Sequence, residues 1–143
     1  MNFRSMIFPP APATPASVGL LLLRGVAGVA MADHGWGKMQ NPFHWMDGAP
    51  DAPPAVFQML AALAEFFGGI GMAVGLVSVI AAFGIVCTML VAMKHHISAG
   101  DGFGKWELAA LYFCISVLVL LAGPGRFSFD SLIRSKVMPT ATQ

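Results

Sequence analysis

Residues 55–93 read AVFQMLAALAEFFGGIGMAVGLVSVIAAFGIVCTMLVAM, an almost unbroken apolar run whose polar interruptions are Gln58, Glu65, Ser78 and Thr88. As one helix it would be about 58 Å long at the 1.5 Å rise per residue, nearly twice the ~30 Å hydrocarbon core of a bilayer. The run must fold back once. Gly75-Leu76-Val77-Ser78 supplies flexible and polar residues near its midpoint, which predicts two antiparallel spans at about 55–75 and 77–94.

On the first of these, at about 100° per residue, Gln58, Ala61, Ala62, Glu65, Gly68, Gly69, Met72 and Gly75 share one face. Leu60, Leu63, Phe67, Ile70 and Val74 take the other. Small and polar residues are expected to face protein and bulky ones lipid, because glycine lets a neighbouring helix approach closely. Glu65 then points into a bundle.

A further span is expected at 17–36, interrupted by Arg24, Asp33 and His34. Residues 1–16, with Pro9, Pro10, Pro12 and Pro15, read as a tail that builds no apolar face. Ala30-Met31-Ala32 resembles a signal-peptidase site, but Arg24 would sit in the middle of the required apolar core, so the segment is kept as a span. The 37–54 loop is broken by five Gly and Pro residues after Gly37 (Pro42, Gly48, Pro50, Pro53, Pro54), and its Phe43, His44 and Trp45 suit the membrane interface. After a polar loop, Trp106 to Ala122 forms the fourth span, at 106–122, closed by Gly123-Pro124-Gly125. Residues 126–143 are a tail with a short surface helix expected from Asp130.

The chain thus reads as an all-α integral membrane four-helix bundle over residues 17–125. Composition agrees: 57% of the 143 residues are hydrophobic and 10% charged, against roughly a quarter charged in a soluble domain, and mean hydropathy is +0.73. With a net charge of +1 and scattered Lys and Arg, no nucleic-acid footprint is present. Four spans put both termini on one side, with Arg4, Arg126, Arg134 and Lys136, and leave Lys38, Lys94 and Lys105 on the other. That weak asymmetry favours cytoplasmic termini.

His34, His44, His95 and His96 all fall at the opposite, loop side, with Asp33, Asp47, Asp51, Asp101 and Glu107. Solvated loop charge explains this as well as a proton-handling cluster or a metal site does. Adjacent His95 and His96 point about 100° apart on a helix, which disfavours one shared ion, and no metal is assigned. Aligning His34 with Ala55 puts Arg24 and Glu65 at similar depth. An Arg24–Glu65 ion pair is therefore expected, as a lock between helices or as a seat for a quinone head, a proton or a small anion. Cys87 and Cys114 fall at matched depth and read as apolar fillers or redox thiols.

The order of these features resembles the DoxX family of small membrane proteins. The likeness lies in Leu22-Leu23-Arg24, His34-Gly35-Trp36-Gly37-Lys38, Glu65-Phe66-Phe67-Gly68-Gly69, His95, Trp106-Glu107 and Gly123-Pro124-Gly125-Arg126-Phe127-Ser128-Phe129-Asp130. The resemblance implies a four-helix bundle in the cytoplasmic (inner) membrane and a link to redox biology, since the family is named for a subunit similar to part of a thiosulfate:quinone oxidoreductase. Family-like polar positions are Arg24, His34, Lys38, Glu65, His95, Glu107 and Arg126.

Two functions stay open at this point. One is a quinone-interacting membrane subunit of an oxidoreductase, with other membrane or peripheral subunits as partners. The other is a non-catalytic assembly or recruitment subunit whose buried charges only fix helix packing. A solute transporter is disfavoured by the lack of an inverted repeat or broken helix. No flavin, haem or nucleotide motif is present, so electron transfer would need quinone, thiols or a partner subunit, with quinone as the candidate cofactor. A cavity of at least about 300 Å³ above Arg24 and Glu65 would favour a ligand site.

Overall fold

A computed structural model of the chain describes residues 12–49 and 52–137. Arg4, Pro9, Pro10, Pro50, Asp51 and the end of the C-terminal tail lie outside the described residues. Among the described residues five α-helices follow in order: α1 (Thr14–Met39), α2 (Ala55–Val74), α3 (Ser78–Ser98), α4 (Glu107–Ala122) and α5 (Phe129–Val137), with a 3₁₀ turn at Phe103–Lys105 before α4. Among the described residues there is no strand. α1, α2 and α3 are long and apolar enough to cross a membrane, and α4 is a shorter apolar helix.

α1 is longer at both ends than the expected 17–36 span. Pro15 lies in its first turn, where the missing N–H costs nothing and the fixed φ suits a helix, so Pro15 starts α1 instead of delaying it. Its other end runs through Gly35-Trp36-Gly37-Lys38 to Met39. α3 likewise continues past Lys94 to Ser98.

The fold-back falls at the expected place. Gly75 adopts the left-handed conformation (φ 73°), and the Leu76 amide donates to the Gly71 carbonyl at 2.9 Å, the 6→1 bond of a Schellman end. Val77 is also left-handed, at φ 49°, an outlier for a β-branched residue. It is held there by Asp130 of α5, whose two carboxylate oxygens accept from the Val77 and Ser78 amides, each at 2.8 Å. Asp130 therefore caps the N-terminus of α3 from across the chain and complements its positive end.

Packing follows the face read from the sequence. Gln58, Ala62, Glu65, Gly68, Gly69 and Met72 of α2 are buried, while Leu60, Phe67, Ile70 and Val74 are exposed. The tightest seam joins α1 and α2. A Cβ on Gly28 would meet the Ala73 amide and the Gly69 carbonyl, one on Gly69 would meet Ala32 and Gly28 backbone, and one on Gly35 would strike Phe66 and Glu65 backbone. The apolar core of Ala27, Met31, Met72, Ala82, Ile85, Met89 and Val119 links this seam to α3 and α4. α1 and α4 touch only sparsely, which leaves a gap on that side of the bundle.

The aromatic loop is tied down by one residue, Gln58, through its side chain and its backbone carbonyl. Gln58 accepts from the Met46 amide at 2.9 Å and donates to the Pro53 carbonyl at 3.0 Å, while the Trp45 indole N–H donates to the Gln58 carbonyl at 2.9 Å.

Candidate functional site

The glycine seam sets the register of the polar residues. Because Gly35 lies on the backbone of Glu65 and Phe66, Glu65 is level with the last turns of α1. Lys38, one turn further on, reaches it: Lys38 Nζ is 2.5 Å from Glu65 Oε1. Glu65 is 2% exposed and Lys38 25%, so the carboxylate lies inside the bundle and the ammonium closes it off. The Lys38 ammonium also sits 4.3 Å from the centre of the Trp45 ring, a cation–π contact that ties the loop to the pair.

The expected Arg24–Glu65 ion pair does not form. Arg24 lies about 16 Å from the Glu65 level along α1 by helical rise, at the opposite end of the bundle. It is 1% exposed and makes four hydrogen bonds, all to backbone carbonyls. Nε donates to Pro124 at 3.0 Å, Nη1 to Met72 at 3.1 Å and to Ala73 at 2.8 Å, and Nη2 to Phe127. The guanidinium thereby closes the C-terminal end of α2, where carbonyls lack helical partners and the helix dipole is negative, and joins it to the Gly123-Pro124-Gly125 turn. The alignment of His34 with Ala55 fails because α1 continues past His34 and the glycine contacts set the two helices about three turns away from that register.

An open cavity of about 180 Å³ lies beside the Lys38–Glu65 pair, lined by Met31, His34 and Lys38 of α1, Glu65 of α2, Met89 and Ala92 of α3, and Lys105, Leu108, Ala109 and Tyr112 around the start of α4. It occupies the gap between α1 and α4. His34 and Tyr112 meet edge-on across that gap, ring centres 6.1 Å apart. The cavity combines two ammonium groups, one carboxylate, an imidazole and a phenol with thioether and aliphatic walls. Such a mixture can take a flat apolar group that carries hydrogen-bond acceptors.

Of the sequence-derived candidates, His34, Lys38 and Glu65 come together here. Arg24 does not, and neither His95 nor Glu107 lines the cavity. The His95 and His96 rings lie 5.6 Å apart, and His96 Nδ1 is 2.7 Å from Asp101 Oδ2. Among the described residues no three His, Cys, Asp or Glu side chains gather as a metal-binding group. Cys87 and Cys114 are free and exposed on the outer surface. Gly68 and Gly69 serve helix contact, Trp106 is the N-cap of α4, and Gly123, Pro124 and Gly125 form the buried turn that receives Arg24. Arg126 is exposed, its backbone N–H donating to Ser17 Oγ at 3.2 Å. Lys105 and Tyr112 were not among the candidates. The available signal was that Tyr112 is the chain's single tyrosine, set in a helix whose other strongly polar residues are Glu107 and Ser116.

No curated protein and no solved structure matches the chain. A family model does, over residues 19–97, a range that covers α1 from Gly19 on, all of α2, and α3 but for its last residue, and thus Arg24, His34, Lys38 and Glu65 but not the α4 side of the cavity. On that match the chain belongs to the DoxX family.

Proposed function

We propose that this multi-pass membrane protein is a quinone-interacting subunit of a redox assembly in the cytoplasmic (inner) membrane, with the Lys38–Glu65 cavity as the seat of the quinone head. The observation that carries this reading is the buried Glu65 carboxylate, held by the partly exposed Lys38 on the wall of a cavity that also presents His34, Lys105 and Tyr112. Ionisable groups at membrane depth are costly and mark sites more often than ordinary core positions.

The residues fit such a head. Lys38, Lys105 and Tyr112 are donors for ring carbonyl oxygens, and Met31, Met89 and Leu108 supply apolar walls. At about 180 Å³ the cavity is below the ~300 Å³ of a typical small-molecule site. It would take a ring-sized head, with the tail left in lipid at the α1–α4 gap. When bound, a quinone supplies two-electron, two-proton carrier chemistry. Glu65 would orient Lys38, and His34 with Glu65 would hold protons near the head. In this reading α4 completes a fourth crossing and both termini face the cytoplasm.

The second reading is an assembly subunit, and Arg24 favours it: a buried charge whose hydrogen bonds all go to backbone carbonyls is a packing element. Gentle detergent purification from the native host, followed by identification of co-purifying quinone and proteins, separates the two. The quinone reading expects quinone retained by the parent and depleted at least about tenfold, equivalent to 1.4 kcal/mol, in Glu65→Gln. Retention of partner proteins with no quinone would support the assembly reading instead.

A further inference from the structure

We infer that α5 lies in the membrane interface as an anionic-lipid-binding helix, its apolar face in the acyl boundary and its cations on the headgroups. Four observations carry this. First, at about 100° per residue, Phe129, Leu132 and Ile133 project on one side of α5, and all are exposed, Leu132 at 59%. Among the described residues nothing covers them.

Second, the rotation of α5 is fixed. Asp130 is 4% exposed, its carboxylate is held by the Val77 and Ser78 amides, and its own amide donates to the Gly75 carbonyl at 2.9 Å. With Asp130 locked against the bundle, the apolar face is held outward.

Third, the charges around that face have one sign. Arg126 and Lys136 are exposed and Arg134 is half-buried, whereas Asp130, the one acidic residue from 126 to 137, is turned inward. By the same count Lys136 falls within the apolar arc, where its stem can lie on lipid while its ammonium reaches the headgroups, and Arg134 lies to one side of it. An apolar face with cations of one sign suits a helix in an interface, and the charge complements an anionic leaflet.

Fourth, the apolar surface is continuous with that of the spans. α5 is docked on the 75–78 turn, where Leu76 and Val77 are exposed, and follows α4, whose last turn exposes Leu121. The lipid that covers these residues extends onto Phe127, Phe129 and Leu132.

The test uses the full chain in lipid nanodiscs, with Cys87→Ala and Cys114→Ala, both exposed positions, and a spin label at Leu132→Cys or Ser135→Cys. Leu132 is expected to be accessible to oxygen and shielded from a water-soluble nickel chelate, with Ser135 the reverse. In discs of mixed phosphatidylcholine and phosphatidylglycerol, the label-free chain is expected to enrich phosphatidylglycerol around itself. Arg126→Gln/Arg134→Gln/Lys136→Gln should lower that enrichment at least about threefold, as loss of three near-surface cations implies. A Leu132 label open to nickel would put the helix in water. One shielded from both reagents would mean that protein, a second copy included, covers the face. Either result, or unchanged lipid preference in the triple variant, overturns the proposal.

Discussion

Lys38 reaches from the last turn of α1 to within 2.5 Å of Glu65 on α2, and the two are unequally buried, 25% against 2% exposed. The carboxylate depends on the lysine more than the lysine depends on it. Lys38→Met should therefore destabilise by about 3 kcal/mol, because a buried charge loses its counterion. Glu65→Gln leaves an ammonium that can reach water and should cost roughly half as much. Lys38→Met/Glu65→Leu should recover most of the loss. Unfolding midpoints of the four proteins in one detergent check this as a double-mutant cycle.

Arg24 should not tolerate lysine. Its Nε, Nη1 and Nη2 donate in different directions to carbonyls of α2 and of the turn after α4. A single ammonium lacks that planar fork. Arg24→Lys is expected to lose about 2 kcal/mol and Arg24→Leu about 3 to 4, as orphaned carbonyls accumulate. Both should speed proteolysis of the segment after Gly125. Wild-type cleavage kinetics in Arg24→Lys would contradict this account of the residue.

Glycines along α1 should divide into two classes. Gly28 and Gly35 lie on α2 backbone, where a Cβ has no flexible neighbour to displace, whereas Gly25 and Gly37 have nothing within 4 Å. Gly28→Ala and Gly35→Ala should each cost about 3 kcal/mol or prevent assembly, by overpacking. Gly25→Ala should be neutral or stabilising by up to about 1 kcal/mol through helix propensity. Thermal stability in detergent distinguishes the classes.

The apolar run at 55–93, its fold-back at Gly75 and the small-residue face of α2 were legible in the sequence, because each depends on residue type and spacing alone. The partner of Glu65 was not. A depth count from span ends closes α1 at Trp36, whereas the helix continues to Met39 and the close glycine contacts shift it about three turns along α2. Gly28 and Gly35, seven apart and facing Gly69 and Phe66, carried the correct register. The role of Arg24 was hidden for a different reason. Its partners are carbonyl oxygens, which every residue owns, so side-chain chemistry does not reveal them. Asp130 is equally silent in sequence, since it caps a helix that begins more than fifty residues earlier.

That cap makes a prediction of its own. Asp130→Ala removes the acceptor for both amides at the start of α3 and should cost about 1 to 2 kcal/mol, with faster hydrogen exchange at Val77 and Ser78. Val77→Gly should offset part of this loss, since glycine adopts positive φ without strain. No rescue in the double variant would argue against strain at Val77.

The proposed function is tested most directly by photolabelling the purified protein, in lipid, with a short-chain quinone that carries a photoreactive group on its ring. Peptide mapping should place the adducts on cavity residues, Met31, His34, Met89 or Tyr112, with excess unlabelled quinone suppressing them and Glu65→Gln reducing them at least about tenfold, or 1.4 kcal/mol. Labelling spread over the lipid-facing surface and indifferent to both competitor and Glu65→Gln would contradict a quinone seat at the Lys38–Glu65 pair.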